Sequence, residues 1–169
     1  MVSLLGKTVI LALIAVLLVL GPMAAIGIND ALGWPRWQLP AGRLIGGFMV
    51  ACAVGVWAHC SSIFARLGKG TPFINDPPKR LVTGGLYRYS RNPLYVAHVV
   101  FLLGWYVASG QVALLLYAAT VAALFRGVVV LREEPALRAH FGEDYVDYTR
   151  TVPRWFPPGL SRGKETDSG

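Results

Sequence analysis

The sequence predicts an all-α, polytopic membrane protein with four transmembrane helices and a C-terminal amphipathic interfacial helix. Three observations predict it. The 169 residues are 54% hydrophobic with a mean hydropathy of +0.51, more apolar than an ordinary soluble domain. Most of those residues fall in uncharged runs long enough, at about 1.5 Å per residue, to cross a hydrocarbon core of about 30 Å. The net charge of +7 is concentrated between Arg66 and Arg91 and in the tail. That asymmetry reads as a topology signal rather than a nucleic-acid-binding face.

The first run, Thr8 to Ile28, is a spanning helix by length. A cleaved signal peptide is the rival, with Lys7 as its basic start and Met23-Ala-Ala as its cleavage site, but signal cores are only about 7 to 15 residues long. Residues 29–40 break the pattern with Asp30, Gly33, two prolines and two tryptophans, and Trp34 and Trp37 stand where interfacial aromatics are expected. The second run, Leu44 to Ala65, carries Gly46, Gly47, Ala51, Ala53, Gly55 and Ala58, small residues that let helices approach closely. Cys52 and Cys60 lie on this one rigid element, too far apart to pair, and read as small packing residues. His59 has no second histidine or carboxylate within a turn, so no metal site is expected.

Residues 66–92 are rich in Gly, Pro and positive charge and predict an ordered interfacial loop. The run from Leu94 to Phe125 would measure roughly 48 Å as one helix, too long for one crossing. Ser109-Gly110-Gln111 divides it into helices over about 94–108 and 112–131. Arg66, Lys69, Lys79, Arg80, Arg88 and Arg91 oppose Asp76 alone, which places the basic loop in the cytoplasm. With four spans both termini share that side, and a bacterial inner membrane is the expected location.

After the last span, Leu137, Phe141, Tyr145 and Tyr148 form an apolar stripe opposite His140, Glu143 and Asp147, an amphipathic helix over 136–149 that contains Gly142. Residues 1–156 are read as one membrane domain and 157–169 as a disordered tail. Pro135 follows Glu133-Glu134 and lacks the N–H that the carbonyl of Leu131 would need, so the last membrane helix is expected to break there. Two carboxylates then stand at the cytoplasmic mouth, on the side of Arg88, Arg91 and Tyr95. Two readings stand: an interfacial pair bridged to Arg132, Arg88 or Arg126, or a ligand site. Gly84-Gly85 is likewise either a plain turn or a close approach of backbone to ligand.

The stretch Thr83-Gly-Gly-Leu-Tyr-Arg-Tyr-Ser-Arg-Asn-Pro-Leu-Tyr95, with Gly68-Lys-Gly-Thr-Pro and Asp76-Pro-Pro-Lys-Arg before it and Glu133-Glu134-Pro-Ala-Leu, Phe141-Gly-Glu-Asp-Tyr and Val152-Pro-Arg after it, resembles the integral-membrane methyltransferases. That family includes isoprenylcysteine carboxyl methyltransferase and the phospholipid N-methyltransferases, and the resemblance covers roughly residues 66–156. It implies an S-adenosylmethionine-dependent methyltransferase acting on a lipophilic acceptor from the bilayer. It implies donor contacts from Tyr89, Arg91, Asn92, Pro93, Tyr95, Glu133 and Glu134, within a site drawn from 79–95 and 126–154. Asn92 stands where many members have histidine; it donates and accepts hydrogen bonds but does not titrate, and His98, one turn on, is the candidate substitute.

Sulfonium methyl transfer needs an in-line nucleophile and exclusion of water. Arg126, inside the fourth span where a charge is costly, and Arg154 are the candidates for steering an anionic acceptor. A snorkelling role is the alternative for Arg126. A nicotinamide-dependent membrane reductase of the sterol-reductase type and a non-catalytic lipid-binding protein are the rival functions, and O-, N- and S-acceptors all remain open.

Overall fold

The computed structural model describes residues 16–63, 66 and 80–155. The start of the first apolar run, Lys69, Lys79 and the tail over 157–169 lie outside the described residues. Those described form helices and no strand, the one β-bridge being an isolated contact between Arg36 and Gln111. We number the helices α1 (Gly21–Ala31), α2 (Gly42–Ile63), α3 (Pro93–Ser109), α4 (Val112–Val128), α5 (Glu134–Phe141) and α6 (Glu143–Thr151). A 3-10 turn, Gly85–Arg88, precedes α3.

Among the described residues, two apolar helical rods are long enough to cross a membrane: α2, and the rod Val112–Phe141 made by α4 and α5 with the turn between them. The rods Val16–Ala31 and Pro93–Ser109 are apolar but shorter. The side-by-side order follows from packing: α2 lies along α3, α3 against α4, and α4 against α1. Leu102, Leu114, Ala118 and Val121 are fully or almost fully buried between them. Outward faces remain apolar, with Leu44 80% and Phe48 70% exposed, an arrangement that water would penalise and lipid would not.

Prolines do not end these rods. A π-wound turn, Val129–Glu133, carries α4 into α5, and the N–H of Glu134 reaches the carbonyl of Val129. The break expected at Pro135 is therefore absent. A proline ring clashes with the carbonyl four residues back in an α-helix, whereas the wider winding moves the bonding one residue further and relieves that clash. Pro22 sits in the same relation to the π-wound turn Val16–Leu20.

The α2–α3 seam explains which small residues matter. A Cβ on Gly46 would run into the carbonyl oxygen of Gly104, and one on Gly104 would lie 2.9 Å from the carbonyl of Gly46, so both chains approach at backbone distance. Gly47 and Gly55 face open space. Gly46→Leu should cost the about 1–3 kcal/mol of stability typical of overpacking, seen as a lower melting temperature in detergent, while Gly47→Leu leaves that temperature unchanged. Equal melting of the two variants would contradict the seam.

At one end of the bundle the α1–α2 loop is fastened to the α3–α4 turn. Buried Asn29 donates to the carbonyl of Trp34 at 3.1 Å and accepts from the N–H of Ala113 at 3.2 Å, and Gln111 donates to Asp30 at 3.0 Å. Gly110, at φ +69°, makes the turn at the predicted Ser109-Gly110-Gln111. A side chain there would collide with the backbone of Trp37, whose N–H donates to the Gly110 carbonyl at 2.8 Å.

Candidate functional site

The opposite end of the bundle gathers the polar residues. Pro93 occupies the first turn of α3, where its fixed φ suits a helix start and its missing N–H leaves nothing unsatisfied. The chain before it is pinned by the segment after α6: the N–H of Arg91 donates to the carbonyl of Pro153 at 2.9 Å, and the amide of Asn92 and the hydroxyl of Ser90 donate to the carbonyl of Arg154 at 3.0 and 3.3 Å. Asn92 here fastens one loop to another, a task that needs a donor and no titration.

The predicted amphipathic helix is two short helices parted at Gly142, whose φ of +56° a side chain would disfavour. The apolar stripe survives the break. Tyr145, Tyr148 and Val152 are buried, with Leu81, Leu137 and Phe141 packed against them, and the hydroxyl of Tyr148 donates to the carbonyl of Tyr87 at 2.6 Å. Burial pushes the phenol of Tyr148 above its ordinary range, so it stays a neutral donor. Gly85, at φ +62°, lies against Ile63 and His59 of α2, which is the behaviour of a turn.

At the centre lies Glu134. Its carboxylate accepts from Arg154 at 2.7 and 2.8 Å, a two-pronged pairing, and from Arg91 at 2.9 Å. The bonds to Glu134 hold the Arg154 guanidinium above its ordinary pKa range. Glu133, one residue earlier, accepts from the hydroxyl of Tyr95, which is its one hydrogen-bond partner among the described residues. The Nε of Arg91 is buried without a partner. Glu134 is thus saturated by cations, while Glu133 and the Arg91 Nε retain hydrogen-bonding capacity.

Beside this cluster a cleft of about 370 Å³ opens between α3 and α4. It is lined by Val96, Val99, Val100, Ala122 and Phe125, with Tyr95, Arg126 and Trp155 completing a surface that is almost wholly apolar. Arg126 makes no hydrogen bond or ion pair with the described residues. The Tyr95 and Phe125 rings, with centroids 4.6 Å apart, stand where the cleft meets the cluster.

The structure therefore brings Arg91, Asn92, Pro93, Tyr95, Glu133, Glu134 and Arg154 together, and puts Arg126 on the adjoining cleft. Two residues stand apart. Tyr89 is 58% exposed, and His98 is buried between Trp57 and Phe125, with centroids at 5.2 and 5.0 Å and its Nε2 unpartnered. Sequence reasoning missed Ser90, Phe125 and Trp155. The signal for them was sequence adjacency alone, of Ser90 to Arg91, of Phe125 to Arg126 and of Trp155 to Arg154.

The residue set fits S-adenosylmethionine on chemical grounds. An orphaned buried guanidinium nitrogen suits a carboxylate, an under-used glutamate suits an ammonium, and Tyr95 and Phe125 offer ring faces.

The sequence profile of the phospholipid methyltransferase family matches residues 43–144, a span that holds Arg91, Tyr95, Arg126 and both glutamates. The chain is 34% identical over 87 residues, 51% of its length, to a cobalt-zinc-cadmium resistance protein, CzcN, of Cupriavidus metallidurans. It is 34% identical over 77 residues, 46% of its length, to the protein-S-isoprenylcysteine O-methyltransferase of Schizosaccharomyces pombe. Against a methanethiol S-methyltransferase of Crocosphaera subtropica it is 38% identical over 80 residues, 47% of its length. The matches cover 40%, 33% and 30% of those three proteins respectively.

Proposed function

We propose that this chain, which belongs to the phospholipid methyltransferase family, is an integral-membrane methyltransferase that takes a methyl group from S-adenosylmethionine and delivers it in line to a lipophilic acceptor. One observation carries the reading: the Arg91–Tyr95 turn and the Glu133–Glu134 turn, more than thirty residues apart in sequence, meet in a single hydrogen-bonded cluster beside an apolar cleft. When bound, the donor supplies a sulfonium methyl, which an acceptor nucleophile takes as the carbon–sulfur bond breaks.

The chain's own residues divide the work. Glu133 and the Nε of Arg91 hold the amino-acid end of the donor. Glu134 keeps Arg91 and Arg154 in place around it. Asn92 and Pro93 shape the turn, and Tyr95 orients Glu133. The apolar walls of the α3–α4 cleft admit a lipid-borne acceptor and exclude water, while Arg126 faces its reacting head. Relatives named for an isoprenylcysteine and for methanethiol are consistent with an acceptor that partitions into the bilayer. Tyr89 and His98 are secondary candidates: Tyr89 as an exposed cover over the donor, and His98 as a brace behind Phe125.

The rods Val16–Ala31 and Pro93–Ser109 join the two longer ones as spans, the short α3 drawing the bilayer thinner around it. Both turns of the fastened end lie on one face and the charged cluster on the other, which matches a topology with the basic loop and both termini in the cytoplasm. Helix α6 lies at the interface over the donor pocket, beside the end of the α4–α5 rod.

Incubation of the purified protein with lipid extract and deuterated-methyl donor, followed by mass spectrometry, should reveal a lipid that gains one labelled methyl. Calorimetry should show S-adenosylhomocysteine binding that Glu133→Gln weakens about ten-fold or more at unchanged melting temperature, as for one charge-assisted bond. Stabilisation by NADPH with none by S-adenosylmethionine would replace this reading by the reductase. Donor binding without methyl transfer into any lipid would leave the non-catalytic one.

A further inference from the structure

Trp155 lies one residue beyond Arg154, and the two side chains belong to different compartments of the site. Arg154 reaches Glu134 in the charged cluster at 2.7 and 2.8 Å, whereas Trp155 lines the apolar cleft together with Val96, Val100 and Arg126. The backbone joining them has little freedom. The carbonyl of Pro153 accepts from Arg91, and the carbonyl of Arg154 accepts from both Asn92 and Ser90. A large, rigid indole held from behind in this way defines how wide the cleft is at that wall.

We propose that Trp155 is a specificity-determining residue, setting the bulk of the lipophile that the α3–α4 cleft admits, and that its position is dictated from the charged cluster through Arg154. The inference rests on the cleft being the acceptor site. Its occupant is a lipophile, because the surface that Val96, Val100, Phe125, Trp155 and the stem of Arg126 turn toward it is almost wholly apolar. At about 370 Å³ the cleft is near the small end of ligand pockets, which run from about 300 to 1,000 Å³. Removing an indole from such a wall changes its capacity by a large fraction. An indole-to-phenyl exchange changes it by much less.

The test uses the full chain in phosphatidylcholine nanodiscs and two photoreactive probes, a diazirine-bearing palmitate and a diazirine-bearing polycyclic carboxylic acid, with crosslinks mapped by peptide mass spectrometry. In the wild type the slim probe should label the α3–α4 walls in preference to the bulky one. Trp155→Ala should shift that ratio toward the bulky probe by about ten-fold, since a single methylene in a tight pocket already discriminates by that much. Trp155→Phe should restore most of the wild-type ratio, which a merely structural residue would not do. An unchanged ratio in Trp155→Ala, or labelling outside the cleft in every variant, overturns the proposal.

The two levels fail separately. S-adenosylhomocysteine binding with an unchanged labelling ratio leaves the methyltransferase reading standing and removes Trp155. Absence of donor binding with a shifted ratio does the reverse.

Discussion

Glu134→Ala is expected to lower thermal stability and abolish donor binding together, because this carboxylate neutralises two arginines that are themselves poorly solvated. The Arg91 side chain is 12% exposed and that of Arg154 31%, around a glutamate 18% exposed. Removing one partner of such a cluster strands the others, at about 3 kcal/mol, the lower end for buried ion pairs. Arg154 would lose both side-chain bonds, and the segment that covers the Ser90–Asn92 turn would be held by its backbone hydrogen bonds and the packing of Val152. Melting temperature in detergent reads the first effect and calorimetry with S-adenosylhomocysteine the second. Adding Arg154→Ala to Glu134→Ala should cost much less than Arg154→Ala costs in the wild type, the non-additivity expected of groups in one network. Independent, additive losses would mean that the cluster does not act as a unit, and unaltered donor binding would remove Glu134 from the site.

The helices were legible because their signal is local: uncharged runs of the right length, and a glycine where the chain must turn at positive φ, as Gly110 does. Which side of a helix faces a neighbour was not. Gly46 and Gly47 are adjacent and chemically identical, yet one touches the Gly104 carbonyl and the other touches nothing, a difference set by about 100° of rotation around the axis. Pro135 misled for a related reason. The steric rule is sound for an α-helix, but the π-wound turn before it changes which carbonyl the ring meets. Gly142, within one amphipathic stripe, split it into two helices without disturbing the buried face.

The charged site shows the same division. Arg91, Tyr95, Glu133 and Glu134 were singled out by motif, and the structure joins them. The roles of the two glutamates differ in a way that adjacency in sequence concealed, since Glu134 points to two arginines and Glu133 to a tyrosine. The partnership of Arg154 with Glu134, across twenty residues, and the placement of Trp155 on the cleft depend on how α6 folds back after the break at Gly142, which no local pattern encodes.

Arg126→Leu is expected to reduce turnover about a hundred-fold or more while donor affinity stays within about two-fold of wild type. Arg126 lines the cleft and not the charged cluster, so leucine leaves Arg91, Tyr95 and both glutamates undisturbed. It also fills comparable apolar volume, so the α3–α4 packing should hold and the melting temperature should stay level. What disappears is the positive charge proposed to meet the acceptor's head. Loss of a single well-placed electrostatic donor typically costs about 10²–10³ in rate, and misplacing the nucleophile by about 1 Å adds about 10² more. Arg126→Lys should recover part of the activity, because charge returns without the planar fork. Full turnover in Arg126→Leu would make the guanidinium a snorkelling cation at the interface, and the acceptor's head would then have to be oriented by the cluster side of the cleft, from Tyr95.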